Sequence, residues 1–572
     1  MWTDSTLSQH RPFPYLKDLG FSDVMDPFCA SANENRRFAA EQSKWLARQF
    51  SALRGLRPLM VSTRHRLKRQ RRTLAEANRH LAATVATLRQ SAQVQTPAGT
   101  MDCSYHVDGD DEELRQTAER MAQQCMWLFA KDSDPADDVL RLLDACGIEP
   151  QRLRHCDSSK PWNWQQRSMC ARWWLRQLRV VAARRAEQVA RDLHAVNKVH
   201  APYASSYTMH RWRARQIANG EILASLKVTN SDGQAFTLQE IADRGQANPV
   251  IRRHELMIRI RGFEEYATAE GHAAHFITVT CPSRFHQYSG LQPNPTYNGA
   301  TPRDAADYLQ TMWARCRAAL HRAGVEFYGF RIAEPHHDGC PHWHLLLFTD
   351  QKHSTALRAT LRAYALQDSP DEPGAAEHRF TAVEISASKG TAAGYVAKYV
   401  SKNVDGYAVG RDDDAGANAT ATAPRVRAWA STWGIRQFQQ LGGPAVTVYR
   451  ELRRAALRPE RITPETPADL VAAADLADWA EFTRLMGGAN LPRRLRPARI
   501  WYAATTQVTM REKMGRYGDK LKCLWGVIGE AFATMSRFTE WIVSAGSHAA
   551  GAAGKLFTLC PPPTTPTAEG FI

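Results

Sequence analysis

The clearest hydrophobic pattern in the chain is a pair of short, largely apolar runs separated by turn residues. The runs are Tyr328–Glu334 and His342–Phe348, and the tripeptide His337-Asp338-Gly339 lies between them. Aromatic and β-branched residues are well represented in the first run, and Gly339 can take the positive φ that closes a three-residue hairpin loop. The pattern therefore predicts a β-hairpin.

Further predicted elements surround this hairpin. Apolar spacing and helix-ending residues predict four helices, at Ile251–Ala267, Thr301–Gly324, Lys352–Leu366 and Thr391–Gly406, and alternation predicts two more strands, at His275–Thr280 and Phe380–Ile385. From the first strand onward the order is βαββαβα. It fits a central antiparallel sheet with helices on one face, a split-βαβ arrangement, so we expect an α+β fold.

The remaining segments are predicted to be mostly helical or irregular. A chain of 572 residues is too long for one compact core. We expect a basic helical region (1–95), a polar linker (96–111), a helical and DNA-binding region (112–249), the sheet domain (250–455) with a flexible excursion (407–425), a small helical region (456–546) and a disordered tail (547–572).

Candidate metal ligands lie on the predicted hairpin. His342 and His344 are two residues apart on a strand, so both imidazoles leave the same face of the sheet. With a three-residue loop, Glu334 lies opposite His342 and points the same way. Two imidazoles and a carboxylate suit a divalent cation such as Mg²⁺ or Mn²⁺, with positions left for water and substrate oxygens.

This interpretation depends on the register of the hairpin. A two-residue loop would place Pro335 opposite His342 and turn Glu334 away. Paired histidines on a strand are also often ordinary surface residues. His336 and His337 are expected in the turn, and either could serve as an outer ligand in place of Glu334.

A second candidate group lies on the predicted helix Thr391–Gly406. Tyr395 and Tyr399 are four residues apart, and Lys398 and Lys402 fall on the same stripe. The helix therefore presents two phenols and two ammonium groups on one face. The alternative is that both tyrosines pack in a core and both lysines are solvated.

The two groups together predict phosphodiester chemistry. A phenol has a pKa of about 10 and is a poor nucleophile at neutral pH unless cations stabilise the phenolate. A divalent ion on a phosphodiester oxygen withdraws charge from phosphorus. Attack by a tyrosine would give a phosphotyrosine ester that keeps the bond energy for rejoining, and a second tyrosine could perform a second transfer.

Composition favours nucleic acid as the partner. Lysine and arginine exceed aspartate and glutamate by 16. The run Arg64–Arg72 holds six basic residues in nine positions, which could bind phosphates or be a solvated helix face. Four tryptophans lie among arginines and are either core residues or a surface that stacks on bases: Trp162, Trp164, Trp173 and Trp174.

Cysteine usage and hydropathy bear on the cellular location. The eleven cysteines include no C-x-x-C pair and are expected to be reduced thiols. No apolar signal core and no apolar run of about 18 residues was found. We expect a protein of the bacterial cytoplasm that has no membrane partner.

Four stretches resemble the HUH endonucleases, and within them the replication gene A proteins of tailed phages. They are FITVTCPSRFH (Phe276–His286), EPHHDGCPHWHLLLF (Glu334–Phe348), GYVAKYVSKN (Gly394–Asn403) and WGIRQFQQLGGPAVTVYRELRR (Trp433–Arg454). The histidines precede the tyrosines, as in replication initiators; in conjugative relaxases the tyrosines come first. Weaker likeness extends upstream to Asn197–Arg213.

The resemblance implies a site-specific nickase that starts rolling-circle replication. Tyr395 or Tyr399 would attack the origin DNA, which is single-stranded at the nick, and leave a 3′-hydroxyl for the host polymerase. Lys398 and Lys402 would lower the phenol pKa or balance charge. A host helicase is implied too, since the chain has no G-x-x-x-x-G-K-[ST] phosphate loop. A non-catalytic DNA-binding protein and a metal-dependent hydrolase remain alternatives.

Overall fold

The computed structural model describes most of the chain beyond residue 98. The described residues are 40–41, 43–48, 56, 78, 82–86, 88–90, 93–96, 99–131, 135–149, 162–230, 232–385, 390–407, 410–412, 415, 417–505, 512–539 and 541–545. The basic run Arg64–Arg72 and the tail predicted at 547–572 lie outside them. None of the described helices combines the length and the apolar character needed to cross a membrane.

The first part of the described chain is largely helical, as predicted for residues 112–249. Its elements are β1 (Arg89–Gln90), β2 (Gln93–Thr96), β3 (Gly99–Asp102), β4 (Tyr105–His106), α1 (Asp111–Lys131), α2 (Ala136–Ala145), α3 (Trp162–Ser168), α4 (Ala171–Asp192), α5 (Ser206–Ser225), β5 (Leu226–Asn230), β6 (Ala235–Thr237) and α6 (Leu238–Asp243). Trp173 and Trp174 are buried in this core, so the structure confirms the core interpretation for these two residues.

The segment predicted as a linker is folded. β2 pairs with β3 and β1 pairs with β4, both antiparallel. Met101, Cys103, Tyr105 and Val107 are buried against the helices. The prediction of an irregular linker was wrong because every second side chain from Met101 to Val107 is apolar and is buried against the neighbouring helices.

The middle of the chain contains the predicted βαββαβα order, and one further strand, β15 (Phe438–Leu441), joins the same sheet. Its elements are α7 (Pro249–Ala269), β7 (Ala273–Val279), β8 (Tyr288–Ser289), β9 (Gln292–Pro293), α8 (Pro302–Arg322), β10 (Tyr328–Pro335), β11 (Pro341–Thr349), α9 (Ser354–Leu366), α10 (Ala375–His378), β12 (Phe380–Ile385), α11 (Ala392–Val404), β13 (Arg411–Asp412), β14 (Ala417–Asn418), α12 (Ala419–Trp433), β15 (Phe438–Leu441) and α13 (Val446–Ala456). Five strands form one antiparallel sheet in the order β12-β7-β11-β10-β15.

Helices cover both faces of this sheet, so the predicted one-sided arrangement was wrong. On one face, Phe276, Phe330 and Leu346 pack with residues of α7, α11 and α13. On the other face, Ile277, Trp343 and Leu345 pack with residues of α8 and α9. The two central strands, β10 and β11, are buried along their full length. A strand buried on both faces needs apolar cover from both sides.

The hairpin has the register that a three-residue loop requires. Glu334 lies opposite His342, and the backbone N–H of His336 donates to the carbonyl of Cys340 at 2.7 Å. Gly339 has a φ of 85°. The side chain of Asp338 is buried and accepts a hydrogen bond from the backbone N–H of Cys340 at 2.9 Å, which fixes the turn.

The segment predicted as a flexible excursion, residues 407–425, includes residues of regular secondary structure. Asp412 is buried, and α12 already begins at Ala419. The prediction failed here because the small, polar sequence gives no local sign of a helix whose apolar face packs on the tyrosine helix α11. Pro424 in the first turns of α12 does not prevent the helix.

The last part of the chain is helical only at first. It comprises α14 (Ala468–Asp475), α15 (Trp479–Leu485), β16 (Ala498–Ala503), β17 (Lys513–Met514), β18 (Lys520–Leu521), β19 (Cys523–Gly529), β20 (Ala533–Met535) and β21 (Trp541–Ala545). The prediction of a helical region at 456–546 was therefore wrong beyond α15. Short 3-10 helices lie at Ser283–Phe285, Gln351–His353, Pro459–Arg461 and Arg493–Leu495.

Candidate metal centre and tyrosine helix

Glu334, His342 and His344 converge on one face of the central sheet. The Nε2 atoms of the two histidines are 3.0 Å apart, and Nε2 of His344 is 3.6 Å from Oε2 of Glu334. All three side chains are buried, and their ligand atoms lie within 4.8 Å of one another. Ligands bound at about 2.0–2.6 Å to one cation are separated by distances of this size, so the donor set fits a single divalent ion.

The surroundings of His342 favour its neutral, metal-binding form. Burial, together with the positive charge of His336, His344 and Lys402, lowers the pKa of His342 well below its usual range. Its Nε2 is therefore available as a ligand. Nδ1 of His344 lies 3.0 Å from the hydroxyl of Thr278 on the neighbouring strand, which turns Nε2 towards the other two ligands.

The carboxylate of Glu334 is held from two sides. The side-chain amide of Asn403 on α11 donates to Oε1 of Glu334, and Nζ of Lys402 lies 3.7 Å from Oε2. The same amide of Asn403 donates to the carbonyl of Tyr399 at 2.8 Å, and its oxygen accepts from Gln437 at 3.0 Å. Asn403 therefore ties the tyrosine helix directly to a candidate metal ligand.

The tyrosine helix is fixed at its start and along its apolar stripe. The hydroxyl of Thr391 accepts from the backbone N–H of Gly394 at 3.0 Å, as an N-cap. The carboxylate of Glu264 on α7 accepts from the N–H groups of Ala392 and Ala393, where a negative charge is favoured. Buried valines, at positions 396, 400 and 404, anchor the helix to the sheet.

The two tyrosine rings lie at different distances from the candidate metal ligands. The ring of Tyr399 lies against that of His344, with 4.0 Å between centroids, and is stacked on Phe276 at 5.3 Å. Within the described part of the chain, the ring of Tyr395 has one aromatic neighbour, Phe276, with 6.0 Å between centroids. Both tyrosines are half-buried and pack against the core of the sheet domain, and their role as nucleophiles stays a prediction.

The two lysines have different surroundings. Lys402 is buried, with its Nζ 3.2 Å from Oδ1 of Asp412 and 5.2 Å from the ring centre of Tyr203. Lys398 is on the exposed side of the helix. Sequence spacing placed the two lysines on one stripe, but the sequence did not reveal that only Lys402 is enclosed.

His336 and His337 lie in the turn, as predicted. The ring of His336 packs on that of His342 at 4.1 Å between centroids. The group of side chains whose ligand atoms converge includes Glu334 and neither of these histidines. Glu334 is therefore the geometrically suited third ligand.

Sequence reasoning missed several residues that organise the site. Thr278 and Phe276 could have been found, because strand alternation puts them in phase with His344 on the adjacent strand. Asn403 and Asp412 gave no such signal. Asp412 accepts hydrogen bonds from the hydroxyl of Tyr203 at 2.9 and 2.8 Å, which joins segments far apart in the chain.

Comparison with known proteins identifies related sequences. Residues 163–407 match the family described as bacteriophage replication gene A protein (GPA). The replication gene A protein of Escherichia phage 186 is 39% identical over 386 residues, which cover 64% of this chain and 54% of that protein. The replication gene A protein of Escherichia phage P2 is 34% identical over 477 residues, which cover 76% of this chain and 62% of that protein.

A bacterial relative carries an activity in its name. The probable replication endonuclease from a prophage-like region of Salmonella paratyphi A is 34% identical over 444 residues, which cover 74% of this chain and 53% of that protein. The chain thus spans little more than half the length of these relatives. No solved structure matches the chain significantly.

Proposed function

We propose that this chain, whose residues 163–407 match the bacteriophage replication gene A protein family, initiates phage DNA replication by nicking one strand through tyrosine transesterification. The observation that carries the proposal is the contact between the ring of Tyr399 and that of His344, a member of the converging ligand set. It brings a candidate nucleophile beside candidate metal ligands. The name of the Salmonella relative supports nuclease activity.

Tyr399 is assigned the first transfer because its ring is the nearer of the two to the ligand set. Its phenol oxygen bonds to the phosphorus of the bound phosphodiester while the bond from phosphorus to the 3′ oxygen breaks. The phenol gives up its proton to water, and the departing 3′ oxygen takes up a proton. The products are a free 3′-hydroxyl and a 5′-phosphotyrosine ester.

A divalent cation, Mg²⁺ or Mn²⁺, held by Glu334, His342 and His344 would draw charge from the phosphorus. Lys402 balances the charges of Glu334 and Asp412. Lys398, on the exposed side of α11, would attract the phosphate backbone. Phe276 holds the Tyr399 ring in place by stacking.

Tyr395 is proposed for the second transfer, which rejoins the displaced strand into a circle. It lies one helical turn from Tyr399 and also packs on Phe276. We further propose that the host helicase unwinds the duplex and the host polymerase extends the 3′-hydroxyl, in the cytoplasm of the bacterial host.

The test is a search for a covalent protein–DNA adduct. Supercoiled plasmid carrying the protein's own gene region is incubated with protein and Mg²⁺, and the reaction is stopped with denaturant. We expect an adduct with the wild type that chelator removes. Tyr399→Phe should form less than a tenth of the wild-type adduct. Tyr395→Phe should form more adduct than Tyr399→Phe, and the double variant should form none.

Tyr502→Phe is the matched control, because this tyrosine is half-exposed and lies on β16, outside the candidate site. It should form as much adduct as the wild type. Nicking that persists in the double variant would replace this proposal with metal-dependent hydrolysis by water. Binding without any nick, on a plasmid shown to contain the origin, would leave a non-catalytic DNA-binding protein.

A further inference from the structure

A row of arginines lies where α5, α7 and α12 meet beyond the end of the tyrosine helix. We call it the arginine row; it consists of Arg213, Arg252, Arg253, Arg425 and Arg427, with two aromatic side chains, Trp212 and Tyr407. All five arginines are at least partly exposed, and Tyr407 is 60% exposed. The row is accessible from solvent.

Aromatic rings or a backbone carbonyl contact three of the five guanidinium groups. That of Arg427 lies 5.3 Å from the ring centre of Trp212, and that of Arg253 lies 4.2 Å from the ring centre of Tyr407. Arg425 donates to the carbonyl of Ala204 at 2.7 Å. A ring or a carbonyl positions a cation without neutralising its charge.

Few acidic groups offset this charge. Asp405 is ion-paired to Arg253 at 2.9 Å, and Glu187, near Arg425, is buried and already accepts hydrogen bonds from Ser205 and Thr208. Among the described residues, no carboxylate forms an ion pair with the other four arginines of the row. The Nε of Arg252 is buried and has no hydrogen-bond partner in the described chain.

The guanidinium groups act on one another. Burial lowers the pKa of Arg427, and the neighbouring Arg252 lowers it further. Burial lowers the pKa of Arg425 in the same way, with Arg213 adding to the effect. Like charges held together and partly removed from water are stabilised when a polyanion binds to them.

The row lies close to the proposed nucleophile. Asp405 is the C-cap of α11, six residues after Tyr399, which corresponds to about 9 Å along the helix axis. A DNA strand whose phosphate is at Tyr399 therefore reaches the row within a few nucleotides. Exposed aromatic side chains beside cations are the surface that unpaired bases prefer, because every base can stack on a ring.

We propose that the arginine row binds the single-stranded DNA next to the scissile phosphate, with guanidinium groups on the phosphates and Trp212 and Tyr407 as stacking surfaces. The inference rests on the proposed function for the identity of the strand. Its contacts are electrostatic and independent of sequence. Any single strand should therefore bind, and bind more weakly as salt rises.

The test measures the salt dependence of binding to a fluorescein-labelled 20-nucleotide oligo(dT) by anisotropy. For single strands, the logarithm of affinity falls with the logarithm of salt concentration by about 0.7 for each phosphate contact. The double variant Arg252→Gln/Arg427→Gln should therefore reduce the slope by about 1.4 and weaken binding at least tenfold at low salt. Arg252→Lys/Arg427→Lys keeps both charges and should retain most of the slope.

A charge-matched control is available. Arg261 and Arg484 are exposed, and each is paired with a carboxylate on its own helix. Arg261→Gln/Arg484→Gln should leave both slope and affinity unchanged. Circular dichroism checks that every variant is folded.

An unchanged slope in the folded Arg252/Arg427 variant would overturn the inference. A loss shared equally by the control would overturn it too, since net charge alone would then explain the binding. Equal binding of a 20-base-pair duplex, lost in the same variant, would refute the single-strand assignment. Failure of the proposed function would give another result. The wild type would form no covalent adduct with plasmid, and the Arg252/Arg427 variant would still show a reduced salt slope for oligo(dT) binding.

Discussion

Asn403 offers the sharpest test of how the tyrosine helix and the candidate metal ligands depend on each other. Its buried side-chain amide donates hydrogen bonds to Glu334 and to the carbonyl of Tyr399, and its side-chain oxygen accepts one from Gln437. A hydrogen bond to a charged group contributes about 1.5–3 kcal/mol, and a neutral one about 1 kcal/mol. Asn403→Ala should therefore lower the free energy of unfolding by about 3–5 kcal/mol.

The same substitution should weaken metal binding. Without the amide, one oxygen of Glu334 loses its donor and the carboxylate can rotate away from His344. Loss of a residue that orients a metal ligand typically costs about 10–100-fold in metal affinity. We expect the Mn²⁺ dissociation constant, from titration followed by electron paramagnetic resonance, to rise by that factor. Stability is measured separately by urea unfolding with chelator present.

Asn163→Ala is the matched control. Asn163 is a buried asparagine that also donates to a carboxylate, that of Asp519, but it lies on α3. It should lose stability and keep the wild-type affinity for Mn²⁺. If Asn403→Ala destabilised the protein by the expected amount and still bound Mn²⁺ as tightly as the control, Asn403 would fasten the helix without orienting the ligand.

Three further predictions follow from the sheet and the ligand set. Gly329→Ala should lower the free energy of unfolding by about 4 kcal/mol in urea denaturation, because φ is 145° and the new Cβ would lie 1.9 Å from the carbonyl oxygen of Leu346. Thr278→Val should raise the Mn²⁺ dissociation constant about tenfold in the same titration, because His344 loses the hydroxyl that orients it. Mn²⁺ should bind more tightly than Mg²⁺ in competition titrations, because two of the three ligands are imidazoles.

Each of these predictions has a comparison that could contradict it. Gly271 also has a positive φ, 66°, but nothing lies within 4 Å of its would-be Cβ, so Gly271→Ala should cost only about 1 kcal/mol. Similar losses at Gly329 and Gly271 would rule out the steric argument. Thr381→Val, on the edge strand β12, should leave Mn²⁺ binding unchanged. Preference for Mg²⁺ would exclude the two-imidazole ligand set.

The hairpin and its ligand register could be predicted because local chemistry determines them. The turn residues His337-Asp338-Gly339 favour one loop length, and that length puts Glu334 opposite His342. Strand alternation then places His344 on the same face. The helix bearing Tyr395 and Tyr399 could be predicted from its lack of helix-breaking residues after Gly394 and its stop near Gly406, and the structure adds Thr391 as its N-cap.

The rest depends on contacts between distant segments, which spacing does not encode. β15, with the sequence FQQL, is short and polar and becomes a strand by pairing with β10. Asp412 lies in a polar run that suggested flexibility, and its burial is due to Lys402, Tyr203 and Thr422. β21 lies near the end of the described chain and becomes a strand by pairing with β5, which comes far earlier in the sequence.

The position of β15 at the edge of the sheet has a consequence for folding during synthesis. β10 carries Glu334 and is flanked on its outer side by β15 alone, the last strand of the sheet to leave the ribosome. Until residue 441 has emerged, the outer side of β10 presents unpaired backbone groups. A ribosome that stalls between β11 and β15 would therefore leave a nascent chain in which all three candidate ligands are made but the outer edge of β10 is open, and such a chain is prone to aggregate.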